Sequence, residues 1–112
     1  MYVRFFFSAV DPADSDEVQR IFFEDVKPAF DAEPSCEGVE LLVSTATNVG
    51  GLVEGVVMSR WRADADVERA LRSRAIAESL VRVRQLLRLE PIIRTFRSLD
   101  EEPAAAEDAP QS

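Results

Sequence analysis

Apolar positions in this chain recur with a period of two in some stretches and with a spacing of three to four in others, and the switches between the two periods set out its architecture. Tyr2 to Val10 alternates as a strand, with Val3, Phe5 and Phe7 on one face and Tyr2, Arg4, Phe6 and Ser8 on the other. Asp11-Pro12-Ala13-Asp14 breaks it as a turn. Val18, Phe22, Val26 and Ala29/Phe30, with Ile21 beside them, then make one helical stripe. Asp14 or Ser15 is its expected N-cap, with Asp14 and Glu17 spaced as a capping box. Pro28 lies inside that stripe, so a kink or break is expected near Asp25. Past Glu33-Pro34-Ser35, Val39 to Thr47 reads as a second strand. Asn48-Val49-Gly50-Gly51 turns it into a third that ends on Trp61. This strand is apolar on both faces: Val53, Val57 and Trp61 point one way, Leu52, Val56 and Met58 the other. Asp64 to Arg88 reads as helix in two pieces. The first carries Val67, Ala70 and Leu71 behind an Asp64 cap. The second carries Ile76, Leu80, Val83 and Leu87 behind Ser73, with Glu78 and Arg82 as an i, i+4 pair. Glu90-Pro91 stops it, and Ile92 to Leu99 is a fourth strand.

The order β-α-β-β-α-β is the ferredoxin-like plan, an α+β domain over residues 1–99 with two helices on one face of a four-stranded antiparallel sheet. A sheet whose back is solvated alternates cleanly between apolar and polar positions. These strands do not, so the second face is expected to be covered by another copy of the chain, sheet against sheet, in a homodimer forming a dimeric α/β barrel. Residues 100–112 contain five acids, no base and no bulky apolar residue. Such a segment cannot offset its ordering entropy and is expected to be a disordered acidic tail. Deleting Asp100–Ser112 should leave the thermal midpoint nearly unchanged. A drop of ~5 °C or more, about 1 kcal/mol for a domain of this size, would mean that the tail docks.

Composition narrows the setting. At 112 residues, with 46% apolar and 30% charged positions, the chain reads as one small soluble domain. No apolar run approaches the ~18–20 residues of a membrane span. Met1 to Phe7 is too short and too strand-like for a signal peptide, so a cytoplasmic location is the default expectation. The lone Cys36 excludes an intrachain disulfide. Glu37 beside it, with no cation near in sequence, favours an inert small core residue. The net charge of −8 argues against nucleic acid or an anionic membrane as partner. Its distribution is uneven, because the bases of residues 60–99 outnumber the acids and are all arginine. That block reads either as a solvated helix face or as an attraction for an anionic ligand or for the acidic first half.

Several stretches together carry a resemblance. They are Val26-Lys27-Pro28-Ala29-Phe30 closing the first helix, Pro34-Ser35-Cys36-Glu37-Gly38-Val39-Glu40 turning into strand two, and Ser59-Arg60-Trp61-Arg62 ending strand three before an acidic helix start. An arginine-rich helix before a last strand with Ile93 and Phe96 completes the set. Over about residues 2–99 the chain resembles the antibiotic biosynthesis monooxygenase family of the dimeric α/β-barrel superfamily. The resemblance implies a homodimer with a small pocket in each subunit between sheet and helices. It also implies an activity drawn from cofactor-free oxygenation of phenols, haem degradation, or isomerase and cyclase chemistry.

The residues present sort these possibilities. There is no histidine, which removes the usual proton shuttle, histidine-paired nucleophiles and imidazole metal ligands. The family's haem-degrading members hold iron through a histidine on the second helix, which argues against that activity here. No cofactor or metal is expected. A cofactor-free oxygenase lets a phenol- or quinone-type substrate supply the electrons, while the pocket favours its anion and excludes water. The resemblance makes Trp61 the candidate catalytic residue, its indole N–H directed to a substrate oxygen. Val57, Ser59, Phe22, Ile76 and Leu80 are the candidate substrate-binding residues for a small apolar or aromatic ligand. Cofactor-free members pair that tryptophan with an asparagine four residues earlier, where this chain has Val57. The alternative reading makes Trp61 a core anchor between sheet and second helix, in a non-catalytic barrel that binds a small apolar ligand or serves as an accessory domain. Arg4 and Ser8 share a strand face, and an arginine in a small sheet needs a partner. A dimer-interface network with Glu54 and Arg60 is expected there.

Overall fold

The computed structural model describes residues 1–99. The expected acidic tail, 100–112, lies outside the described residues. The strands are β1 (Tyr2–Val10), β2 (Cys36–Val43), β3 (Val53–Trp61) and β4 (Ile92–Arg97), and the sheet order is β2-β3-β1-β4, antiparallel throughout. Between β1 and β2 come α1 (Ser15–Ile21), a π-helical turn (Phe22–Val26) and α2 (Lys27–Asp31). α3 (Asp64–Leu71) and α4 (Arg74–Arg84) link β3 to β4. This is the ferredoxin-like α+β fold that the hydrophobic periods predict. No helix among the described residues is long and apolar enough to cross a membrane.

Register fixes which side chains share a face. Tyr2 opposes Trp61, Arg4 opposes Ser59, Phe6 opposes Val57, Ser8 opposes Gly55 and Val10 opposes Val53. These even positions of β1 face the helices, and the core gathers there from Phe6, Phe22, Val26, Phe30, Val39, Val57, Trp61, Val67, Ala70, Ile76 and Val83. The odd positions, Val3, Phe5 and Phe7, lie on the other face with Leu42, Val56, Met58, Ile92 and Phe96.

Local chemistry moved several boundaries. Pro28 has no N–H to return to the carbonyl four residues back. The chain answers with a widened turn in which the Lys27 N–H donates to Phe22 O, so the expected break is a π turn. The capping box does not form. Pro12 draws Asp14 into a 3₁₀ turn with φ −98° and ψ −3°, away from the extended backbone a capping side chain requires. Glu17 instead accepts from Arg20 at 2.9 and 2.5 Å, and Arg20 also reaches Glu24 at 2.8 Å. That pairing draws the Glu17 carboxyl below its ordinary range, the Arg20 hydrogen bond being the main cause. β2 starts earlier than expected, through a bulge between Cys36 and Gly38. It ends at Val43 because Asn48 organises a longer loop: its Oδ1 accepts the Gly50 and Leu52 N–H groups at 2.9 and 3.0 Å. Asp64 is the first helical residue of α3 and Ala63 its cap, and Ser73 caps α4 without a side-chain bond. α4 stops at Arg84, after which the Arg88 N–H donates to Ala9 O at 2.9 Å.

The arginine block pairs with the acidic first half. Arg62 donates to Glu37 at 2.6 Å, Arg82 to Asp25 at 3.2 Å, and Arg88 to Asp11. Because Arg82 turns to Asp25, the expected Glu78–Arg82 pair is replaced by Arg74–Glu78 at 2.8 Å. These are exposed contacts of small net worth, each about 0–1 kcal/mol. Arg62–Glu37 joins the end of β3 to β2, Arg82–Asp25 joins α4 to the π turn, and Arg88–Asp11 joins the segment after α4 to the turn after β1.

Candidate ligand site

Trp61 ends β3 on the helix-facing side with no solvent-accessible surface. Strand geometry puts Ser59 two residues back on the same face, and the indole Nε1–H donates to Ser59 Oγ at 2.9 Å. The Phe30 ring meets the indole edge-on, with centroids 6.1 Å apart. The polar handle of the tryptophan is thus satisfied inside the core, as a buried indole N–H requires. Ile76 is equally inaccessible, Ser59, Phe22 and Val57 are buried, and Leu80 packs against them partly exposed. The structure therefore brings five of the six candidate residues into one packed cluster, with Leu80 at its edge.

Open space lies at the other end of β3. A cleft between α1 and the sheet is lined by Ser8, Val10, Val18, Gln19, Phe22, Leu41, Val43, Val53, Gly55, Val57 and Val83, with Ser15 and Glu54 among its polar members. Phe22 and Val57 line it; Ser59, Trp61, Ile76 and Leu80 do not. Its polar groups are partly engaged, since Ser8 Oγ donates to Gly55 O at 3.3 Å and Gln19 Nε2 donates to Ser15 Oγ at 3.1 Å. The enclosed part is only ≈ 20 Å³, enough for about one water-sized group. A metabolite would insert one substituent and rest its body in the mouth, or displace α1. The π turn that begins at Phe22 is the segment of the cleft wall with the least regular hydrogen bonding.

Sequence reasoning did not single out Ser15, Gln19 and Gly55 here. Gly55 carried a readable signal, because an isolated glycine inside a strand marks a close approach. An added Cβ there would sit 3.6 Å from Ser8 Oγ and 3.8 Å from Leu41 Cδ1, in ordinary contact and pointing into the cleft.

Register and burial bear on two further expectations. Arg4 does not join Glu54 and Arg60, because it opposes Ser59 on the helix side whereas those two lie on the open face. Burial pulls the Arg4 guanidinium down from its ordinary value, Glu68 opposes the shift and Arg84 adds to it. Cys36 is half-buried against the core, its Sγ donating to Gly38 O at 3.4 Å, and burial pushes its thiol up, the state of an unreactive thiol.

The fold is shared with solved structures. The crystal structure of an antibiotic biosynthesis monooxygenase superposes with a TM-score of 0.71 at 16% identity, covering 88% of this chain and 99% of that one. A protein from Nitrosomonas europaea, described as a candidate antibiotic biosynthesis monooxygenase, gives a TM-score of 0.71 at 12% identity over 88% of this chain and 99% of its own. One from Caulobacter crescentus, described in the same way, gives 0.70 at 13% identity over 88% and 89%. At these identities the likeness is one of fold. No family profile matches the sequence, and no curated protein matches it.

Proposed function

We propose that this chain is a monooxygenase-like protein that takes a small apolar or aromatic metabolite, of phenol or quinone type, between α1 and the sheet without a cofactor. The observation that carries the reading is the helix-side cleft, apolar on most of its walls, with Ser8, Ser15 and Gln19 supplying hydroxyl and amide groups. It sits on the fold shared with proteins described as antibiotic biosynthesis monooxygenases. An apolar enclosure with a few polar groups is what orients a phenol and keeps water from its ring. In this reading Phe22 and Val57 touch the ligand. Ser59, Trp61, Ile76 and Leu80 form the packed layer that holds β3 and α4 in place behind them. The working unit is a cytoplasmic homodimer.

A second reading is a binder without turnover. It is favoured by the engagement of the Trp61 N–H with Ser59 and by a cleft lining whose one ionisable residue, Glu54, lies by register on the open face of the sheet.

The test is a panel of phenols, hydroquinones and quinones, with binding followed by amide chemical shifts and turnover by oxygen uptake in the presence of chelator. Shifts at Val18, Gln19 and Val57 are expected. Gly55→Val, which projects into the cleft, should weaken binding by about tenfold or more, since ~1.4 kcal/mol of lost fit is a factor of ten. Binding with no oxygen uptake would select the second reading. No shift at these positions across the panel would overturn both.

A further inference from the structure

Ion pairs absorb much of the arginine charge. Arg20, Arg62, Arg69, Arg74, Arg82 and Arg88 each hold a carboxylate. Arg4 and Arg84 hold none: the side chain of neither makes a hydrogen bond or an ion pair among the described residues. Yet the fold brings these two together. Arg4 stands on the helix side of β1, between Ser59 of β3 and Thr95 of β4 by register. Arg84 arrives from the last turn of α4, its guanidinium carbon 5.5 Å from the ring centroid of Phe6, which follows Arg4 on the same strand face.

Arg4 is partly buried, so its guanidinium donors have lost water without gaining an acceptor. Arg84 acts on it as a like charge, and Glu68 of α3 as an opposite charge that does not touch it. Two guanidiniums against one distant carboxylate leave an excess of positive charge that a monoanion would match. The shelf beside them is open. Thr95 is exposed, and Ile93, which opposes Phe6, is 36% exposed, so the helices stop short of the β4 edge. A sheet-to-sheet dimer uses the other face and leaves this one uncovered. Paired guanidinium forks, a hydroxyl and an aliphatic side chain are complementary to a carboxylate carried on an apolar body.

We infer that this shelf is a ligand site for an organic monocarboxylate, its carboxylate held by Arg4 and Arg84 with the Thr95 hydroxyl beside them, and its aromatic or aliphatic body resting on Ile93. The site lies at the opposite end of β1 from the cleft that Ser8 and Val10 line, and it does not depend on the activity proposed there.

The probe is benzoate, compared with the neutral benzamide of the same shape, titrated into the full chain at constant ionic strength and followed by amide shifts. Saturable shifts at Arg4, Phe6, Arg84 and Thr95 are expected for benzoate, with benzamide weaker by about tenfold. Arg84→Gln removes one fork from an exposed position and should weaken benzoate by about tenfold while leaving benzamide unchanged. Arg4→Gln should act in the same sense. Arg74→Gln makes the same change of charge at the other end of α4, about 15 Å away, and should leave benzoate binding unaltered, which separates a built site from general positive potential. Equal affinity for benzoate and benzamide, equal losses in Arg84→Gln and Arg74→Gln, shifts centred on Val18 and Gln19, or no saturable shift up to about 10 mM would each overturn the inference.

Discussion

Replacing Trp61 with phenylalanine is expected to lower the unfolding free energy by about 1–3 kcal/mol, through a poorly filled space in the core. The indole has no accessible surface, lies against Phe30 and shares its cluster with Ile76, Val57 and Val26. Phenylalanine keeps part of the ring area but leaves a void and removes the hydrogen bond to Ser59, itself buried. The complementary change, Ser59→Ala, leaves the indole N–H unpaired in the core and should cost about 1–3 kcal/mol. Because the two side chains satisfy each other, the double variant should be less unstable than the sum of the single ones. Chemical denaturation of the four proteins measures this directly. As the sole tryptophan, Trp61 reports on itself: its emission should be that of a buried indole and resist quenching by acrylamide until the protein unfolds. A Trp61→Phe variant of unchanged stability that has lost phenol or quinone binding would move this residue from the core to the ligand.

The elements were legible because each periodic stretch has one face that must be buried. The pairing of Val53, Val57 and Trp61 against Leu52, Val56 and Met58 is a matter of parity along one strand, and the register reproduces it. What parity cannot give is which face of one strand meets which face of the next. Parity alone therefore allows Arg4 and Glu54 to meet, and the Arg4–Ser59 register puts them on opposite sides. Boundaries failed where side chains outcompeted the regular ladder. Asn48 collects two backbone N–H groups and shortens β2, and with Pro28 the kink or break expected near Asp25 takes the form of a π turn. Salt-bridge partners were the least legible. The i, i+4 spacing of Glu78 and Arg82 was available, yet Asp25 reaches Arg82 through the tertiary fold and Arg74 takes Glu78.

The site was legible in its materials more than in its place. Phe22 and Val57 line the helix-side cleft. Trp61 is an amphipathic aromatic at a strand end, but its N–H finds a partner two residues away on its own strand. A serine at i−2 of a tryptophan in a strand is a sequence pattern for such self-satisfaction, because both side chains leave the same face. The helix-side cleft opens instead where side chains are missing or small, at Gly55 and Ser8, and an absence of bulk is hard to see in a hydrophobic pattern.

The open face of the sheet carries the other large effect. Phe5→Asp is expected to convert the protein from dimer to monomer while preserving its circular dichroism spectrum. Phe5 stacks on Phe7 with centroids 5.7 Å apart and meets Phe96 edge-on at 5.5 Å, at the middle of a face shared with Val3, Val56 and Met58. Leu42 is 46%, Phe96 48% and Ile92 59% exposed in the single chain, so large apolar side chains lie uncovered on this face. A face of this kind marks an interaction surface, and in the proposed homodimer a second copy of the sheet covers it. In a two-fold interface the substitution enters twice. An unpaired buried carboxylate costs about 3 kcal/mol or more, so two cost about 6 kcal/mol, which weakens association by roughly 10⁴-fold. The same carboxylate in the monomer sits on a solvent-facing surface and leaves the helix-side core untouched. Sedimentation velocity at micromolar concentration measures both states. A wild-type chain that sediments as a monomer, or a Phe5→Asp variant that stays dimeric, would show that this face is not where two copies meet.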